Sequence, residues 1–166
     1  NQRQKFVVLV HLLEFIVANG EVSAQENDFV ATVAETFNIG QQDFNRCKVF
    51  VEQNTKERQD ATHLLYINAA VENTFDSAKH LHAHGLEGEL RVLHLPSVNL
   101  YVMRYTGQDE VMMNGQRMAQ DSHYVLSNGT SVRPPNGVPI YYSDILSAFM
   151  AKKGRARLVF KADGIE

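Results

Sequence analysis

Three histidines at alternate positions, His80, His82 and His84, are the first residues whose types and spacing suggest chemistry. Side chains alternate in face along an extended strand. At this spacing the three imidazoles would project together and could ligate zinc or copper. On a helix the same spacing scatters them, and the preceding Ser77-Ala78-Lys79 reads as helical; the segment is then an exposed lead into Gly85. A second group, Glu21, Glu26 and Asp28, crowds one turn and could offer oxygens to a hard cation. It lacks the alternating Asp/Asn pattern of a calcium loop, and Glu26 has a structural role described below. Tyr101, Arg104, Tyr105, Tyr141 and Tyr142 could gather as an aromatic, cationic recognition surface, and Arg91, Arg104, Arg117 and Arg133 could bind a phosphate. A guanidinium suits a phosphate because its planar fork donates two parallel hydrogen bonds. Strand tyrosines serve equally well as half-buried packing with a wet hydroxyl.

Other chemistries find no motif. The chain has no Gly-x-x-x-x-Gly-Lys-Ser/Thr loop, so nucleotide binding of the P-loop kind is not expected. It also lacks Gly-x-Ser-x-Gly, His-Glu-x-x-His and Cys-x-x-Cys. The single cysteine, Cys47, cannot form an internal disulfide, which points to a reducing compartment and a small buried side chain. A formal charge of −3 without a run of like charges argues against a dedicated nucleic-acid binder and against attraction to an anionic membrane. With 44% hydrophobic residues among 166, there is material for a packed core. The most apolar run, Phe6 to Val17, is interrupted by His11 and Glu14 and is shorter than the ~20 residues that span a bilayer.

Hydrophobic periodicity supplies the elements that would position these groups. Phe6, Leu9, Val10, Leu13, Ile16 and Val17 follow the spacing of one helical face, ended by Asn19-Gly20. Ser23, with Glu26 three positions later, predicts a capping box at the start of a second helix whose inner face is Phe29, Val30, Val33 and Phe37. After Ile39-Gly40, Phe44, Cys47, Phe50 and Val51 predict a third helix. The polar stretch from Gln53 to Thr62 reads as a boundary. Beyond it the period shortens towards two, as in strands. Leu64 to Ile67, Leu90 to Leu95, Val98 to Tyr105, Val111 to Met113, His123 to Leu126 and Ser131 to Arg133 are strand candidates. Asn114-Gly115 marks a hairpin, Asn128-Gly129 a second turn and Pro134-Pro135-Asn136-Gly137 a rigid one. Five or six strands at such intervals predict a small sandwich or barrel. Ser143-Asp144 would cap a short helix through Met150, with Lys152 and Lys153 in its last turn and Gly154 beyond. A last strand is expected at Arg157 to Lys161.

Two stretches resemble known families. Phe15 to Glu26, a helix followed by Asn-Gly-Glu-Val-Ser and a glutamate three residues after the serine, resembles the repeat of TerB-like (tellurite-resistance type) helical domains; Asn19 stands where that family usually has aspartate. Val111 to Gly115 and Tyr124 to Gly129 are similar to the late strands of forkhead-associated (FHA) sandwiches, which recognise phosphothreonine. In this order the two resemble the N-terminal region of Bacteroidetes-type ABC transporter ATP-binding proteins. Pro139 to Ile145 fits the same resemblance, as does the ending Leu158 to Glu166, which resembles the first strand of an ABC nucleotide-binding domain.

The expected architecture is therefore α+β. A helical TerB-like segment (1–62) would precede a small antiparallel FHA-like sandwich with a C-terminal helix (63–154), and 155–166 would begin an ATPase domain or linker. The resemblance implies a non-catalytic accessory or regulatory region, cut from a longer polypeptide, on the cytoplasmic side of the inner membrane. No cofactor is expected in the fragment itself; ATP and magnesium would belong to the full-length parent. Its partners would be the downstream ATPase and membrane domains, and a protein or peptide, with no nucleic acid. The interaction surface would draw on Arg91, Arg104, Tyr105, Arg117 and Arg133. The alternatives are a metal-responsive module using Glu21, Glu26, Asp28, His80, His82 and His84, or a phosphopeptide reader of the FHA type.

Overall fold

The computed structural model describes residues 1–52, 61–72 and 78–151. Three helices come first: α1 (Gln2–Ala18), α2 (Ala24–Thr36) and α3 (Gln41–Glu52). Helix α1 buries Phe6, Leu9, Val10, Leu13 and Ile16, the stripe its spacing predicts. Gly20 follows at φ +115°, a conformation open to glycine at little cost. The capping box then forms as expected. The Glu26 N–H donates to Ser23 Oγ at 3.1 Å, and the Ser23 N–H donates to Glu26 Oε1 at 3.0 Å. One expectation for α2 fails: Phe29 is 55% exposed, and the buried positions are Val30 and Ala34. A helix turns about 100° per residue, so Phe29 and Val30 cannot both face a narrow contact.

A short 3₁₀ turn (Ala61–His63) leads into nine strands among the described residues, where five or six were expected. These are β1 (Leu64–Asn68), β2 (Lys79–His82), β3 (Glu89–Leu95), β4 (Leu100–Thr106), β5 (Met112–Met113), β6 (Gln116–Arg117), β7 (His123–Val125), β8 (Ser131–Arg133) and β9 (Ile140–Tyr141). Helix α4 (Tyr142–Met150) follows. The unforeseen strands, β2, β6 and β9, are two to four residues long, too short to show a period. Lys79, read as helical, opens β2. The expected boundary from Gln53 to Asp60, Ser77, and the chain beyond Ala151 with its predicted last strand lie outside the described residues.

The strands form two sheets, ordered β2-β1-β3-β4-β7 and β6-β5-β8-β9. The α+β class therefore holds, but the expected wholly antiparallel β part does not, since β1 and β2 run parallel. Asn114 and Gly115, both at positive φ, turn the β5–β6 hairpin as predicted. The Asn128-Gly129 turn does something else: it carries the chain from β7 in the larger sheet to β8 in the smaller. At α4 the cap is made by Asp144, whose carboxylate accepts from the Tyr141 N–H at 2.9 Å.

Apolar side chains fill two cores on opposite faces of the larger sheet. One joins the three helices to Leu64, Leu93, Leu95, Leu100 and Val102. The other joins Leu65, Ile67, Leu90, Val92, Met103 and Tyr105 to Val111, Val132 and Ile140 of the smaller sheet side and to Ile145 of α4. Helices, five-stranded sheet, and smaller sheet with α4 are thus three layers, with β4 buried from Leu100 to Tyr105. A polar clamp adds to the first interface, where Ser97 Oγ in the β3–β4 turn donates to Asp43 Oδ2 of α3 at 2.7 Å.

Two turns meet at backbone distance beside the second core. A Cβ on Gly85 (φ +81°) would lie 2.5 Å from the Asn136 carbonyl oxygen. Gly115 has nearly the same φ, +83°, with open space around it. Gly85→Ala should therefore cost more than Gly115→Ala, which should cost about 1 kcal/mol from backbone strain alone. Urea midpoints compare the two, and equal losses would show that the turns do not approach this closely.

Candidate interaction site

Antiparallel and parallel register together place five polar or aromatic residues in one row across the helix-facing side of the larger sheet. His80 pairs with Tyr66, Tyr66 with Arg91, Arg91 with Arg104, and Arg104 with His123. The adjacent row towards β1 and β3's opening residues carries His82 opposite Asn68, and Glu89 opposite Thr106. The helices cover the apolar half of this face and reach over Arg104 and His123, while Tyr66, His80 and Arg91 are only half-buried.

Arg104 is the most heavily committed of the row. Its residue is 2% exposed and its guanidinium lies 5.0 Å from the centre of the Phe50 ring. Nη1 donates to the Phe50 carbonyl oxygen at 2.5 Å, while Nε is buried with no hydrogen-bond partner. Desolvation, reinforced by the Arg91 charge, lowers its pKa from 12.5 to about 10, still cationic at neutral pH. Arg91 is more open. Its Nε donates to Glu89 Oε2 at 2.7 Å and its guanidinium lies over the Tyr66 ring at 5.1 Å.

At the far end of the row, Glu14 reaches from α1 to β7. Its Oε2 accepts from the His123 backbone N–H at 2.7 Å and from Nδ1 at 2.8 Å. A carboxylate can only accept, so the imidazole proton sits on Nδ1. Nε2 is buried without a partner, and the ring meets that of Phe50 edge-on at 5.8 Å. Burial pushes the His123 pKa below 6.5, against the pull of Glu14 and with the help of Arg104. Glu14 and His123 were not among the expected site residues. The available signal was a carboxylate inside a largely apolar helical run.

The histidine triplet divides. His80 and His82 do share a strand face, but His84 lies past the end of β2. The Asn68 amide nitrogen donates to Glu89 Oε1 at 3.0 Å, which turns Oδ1 towards His80 Nε2 at 2.8 Å. His80 Nε2 therefore carries a proton, and burial lowers its pKa, with His82 adding to the effect. His82 Nδ1 faces the Ala70 carbonyl oxygen at 3.1 Å. In the acidic turn Glu26 is engaged in its capping box, while Glu21 and Asp28 are exposed. Among the described residues no three His, Cys, Asp or Glu side chains are grouped to hold a metal ion. Cys47 is buried, and its thiol is raised to about 12, chiefly by desolvation.

The remaining candidates lie on the smaller sheet's side. Register places Arg117 and Arg133 on either side of Met112, both exposed, with Arg117 paired to Glu110 at 3.3 Å. Arg117 also lines a cavity of about 350 Å³ with Tyr105, Gly107, Gln108, Asp109 and Met118. The Tyr105 hydroxyl is occupied there, donating to the Glu87 carbonyl oxygen at 3.0 Å and accepting from the Asp109 N–H at 3.1 Å. The five expected surface residues thus form two groups, Arg91 with Arg104, and Tyr105 with Arg117 and its neighbour Arg133. No described helix is long and apolar enough to cross a membrane. Comparison with protein-family models, with curated proteins and with solved structures finds no match to this chain.

The depressed pKa of His123 sets a pH dependence. Above about pH 6.5 the ring is neutral whether folded or unfolded, and the Glu14 network is fully available. Below that value the unfolded chain takes up the proton first, so stability falls as the pH drops towards the lower folded-state value. His80 and His94 are lowered by burial and act in the same direction. Urea midpoints should decline from about pH 7 to about pH 5, and His123→Gln should make the decline shallower. An unchanged slope in that variant would remove His123 from the account.

Proposed function

We propose that this chain is a non-catalytic interaction and regulatory region of an ABC transporter ATP-binding protein. ATP hydrolysis with magnesium, and passage through the membrane, belong to other parts of the full-length protein, and this region works on the cytoplasmic side of the inner membrane. The reading rests first on the family resemblances of the two stretches. The carrying structural observation is where those stretches lie. The TerB-like stretch forms a helix, a glycine turn and a capping box. In the FHA-like stretch, Asn114-Gly115 turns a hairpin of the smaller sheet and Asn128-Gly129 links the two sheets.

Packing supports an interaction role of this kind. Three helices share one core with the larger sheet, and the smaller sheet shares the other, so surface residues are held on a well-buried frame. Arginines stand at two places on that frame, and guanidinium groups are common anchors at protein interfaces.

The test is direct. Purified chain mixed with magnesium and ATP should release no phosphate above the protein-free rate and should give no micromolar binding by calorimetry. Turnover, or micromolar affinity for ATP, would overturn this assignment of roles.

A further inference from the structure

Arg91 and Arg104 stand directly opposite each other on neighbouring antiparallel strands, on the same face. Like charges in that position repel and destabilise a sheet. Glu89 satisfies one nitrogen of Arg91, and no other acceptor reaches its guanidinium among the described residues. Arg104 is in greater need. It is 2% exposed, its Nε has no partner, and among the described residues its guanidinium donates only to a neutral carbonyl oxygen, that of Phe50. No described carboxylate lies within ion-pair distance of it; Asp121 and Glu89 act on its charge only from further off, and Glu89 already bonds Arg91. A cation removed from water without a counter-charge is costly, and a charged group usually keeps such a position only when something neutralises it.

We infer that Arg91 and Arg104 form an anion site for a phosphate-class oxyanion, held between the two guanidinium groups at the edge of the helical layer. Geometry favours a tetrahedral oxyanion over a single chloride, because several oxygens can accept from two forks at once. The neighbours fit such a ligand. Tyr66 holds the Arg91 guanidinium over its ring, and Asn68 donates to Glu89, which moderates the negative charge beside Arg91. The low exposure of Arg104 and the presence of Glu89 weaken the hold on such an anion. This site is separate from the cavity beside Arg117 and does not depend on the proposed relation to a transporter.

Thermal melting of the whole chain tests it, with inorganic phosphate and phenyl phosphate as probes and sodium chloride at matched ionic strength as control. At phosphate about tenfold above its dissociation constant, the midpoint should rise by about 3–6 °C over the control. A rise with inorganic phosphate alone assigns the site to the free anion, and an equal or larger rise with phenyl phosphate assigns it to a monoester. Arg104→Met keeps the length of the side chain and removes its charge, so it should melt no lower than the parent without phosphate and lose the phosphate response. Arg91→Met, at the more exposed position, should weaken the response at least tenfold in phosphate concentration. Should Arg104→Met fail to fold, Arg91→Met alone decides. No rise beyond the chloride control, or a full response in folded Arg variants, overturns the proposal. An ATP-binding result leaves it untouched, since that concerns the role of the whole region.

Discussion

Strand β4 is buried on both faces, and the rest of the architecture follows from that constraint. From Leu100 to Tyr105 each residue is buried, so the larger sheet cannot turn one side to water as many antiparallel sheets do. Odd and even positions need separate covers. The helices supply one, through Phe6, Leu13, Phe44 and Phe50, and the smaller sheet with α4 supplies the other, through Val132, Ile140 and Ile145. Neither cover has an obvious alternative surface on which to bury its own apolar stripe. The helical segment and the sandwich are therefore linked by a shared core, whatever role each plays in a longer protein.

Within that constraint, the polar residues of the helix-facing side are costly choices. Arg104 occupies a position that Val102 and Leu100 fill with hydrocarbon two and four residues earlier. Its burial lowers its pKa yet leaves it charged at neutral pH. His123 beside it remains neutral because desolvation outweighs the attraction of Glu14. The Glu14 carboxylate holds both the main chain and the ring of His123, so one side chain of the first helix orients the edge strand β7. Removing either partner would leave a buried polar group unsatisfied, which typically costs ~1–3 kcal/mol. Such groups fix how the helical layer sits on the sheet more than they add to its stability.

The two clusters of arginine give the frame different surfaces. Arg91 and Arg104 face the helical layer, and Arg104 is tied to it through Phe50. Arg117 and Arg133 flank Met112 on the smaller sheet, open to solvent. An exposed guanidinium paired with an exposed carboxylate, as Arg117 is with Glu110, contributes little to stability and is available for exchange with a partner. These differences matter for a region read as an interaction module, because burial and hydration determine whether a charge acts as a structural post or as a docking contact.

Local chemistry made much of the fold legible in advance. The α1 stripe, the Ser23–Glu26 capping box and the Asn114-Gly115 hairpin each depend on neighbours a few residues apart, so spacing alone determined them. The helical first part and the strand-rich second part were legible for the same reason. Phe29 was misplaced because apolarity does not say how wide a buried stripe is. The short strands β2, β6 and β9 and the parallel β1–β2 pair were missed because two to four residues carry no period, and pairing partners come from distant segments. The candidate site was legible only as residue types. Arg91 and Arg104 were picked for their charge, but the register that sets them side by side, the Phe50 carbonyl that receives one of them, and the 109-residue step from Glu14 to His123 belong to the tertiary structure alone. Side-chain pattern specifies what an element must bury; only chain folding decides which charges are buried together.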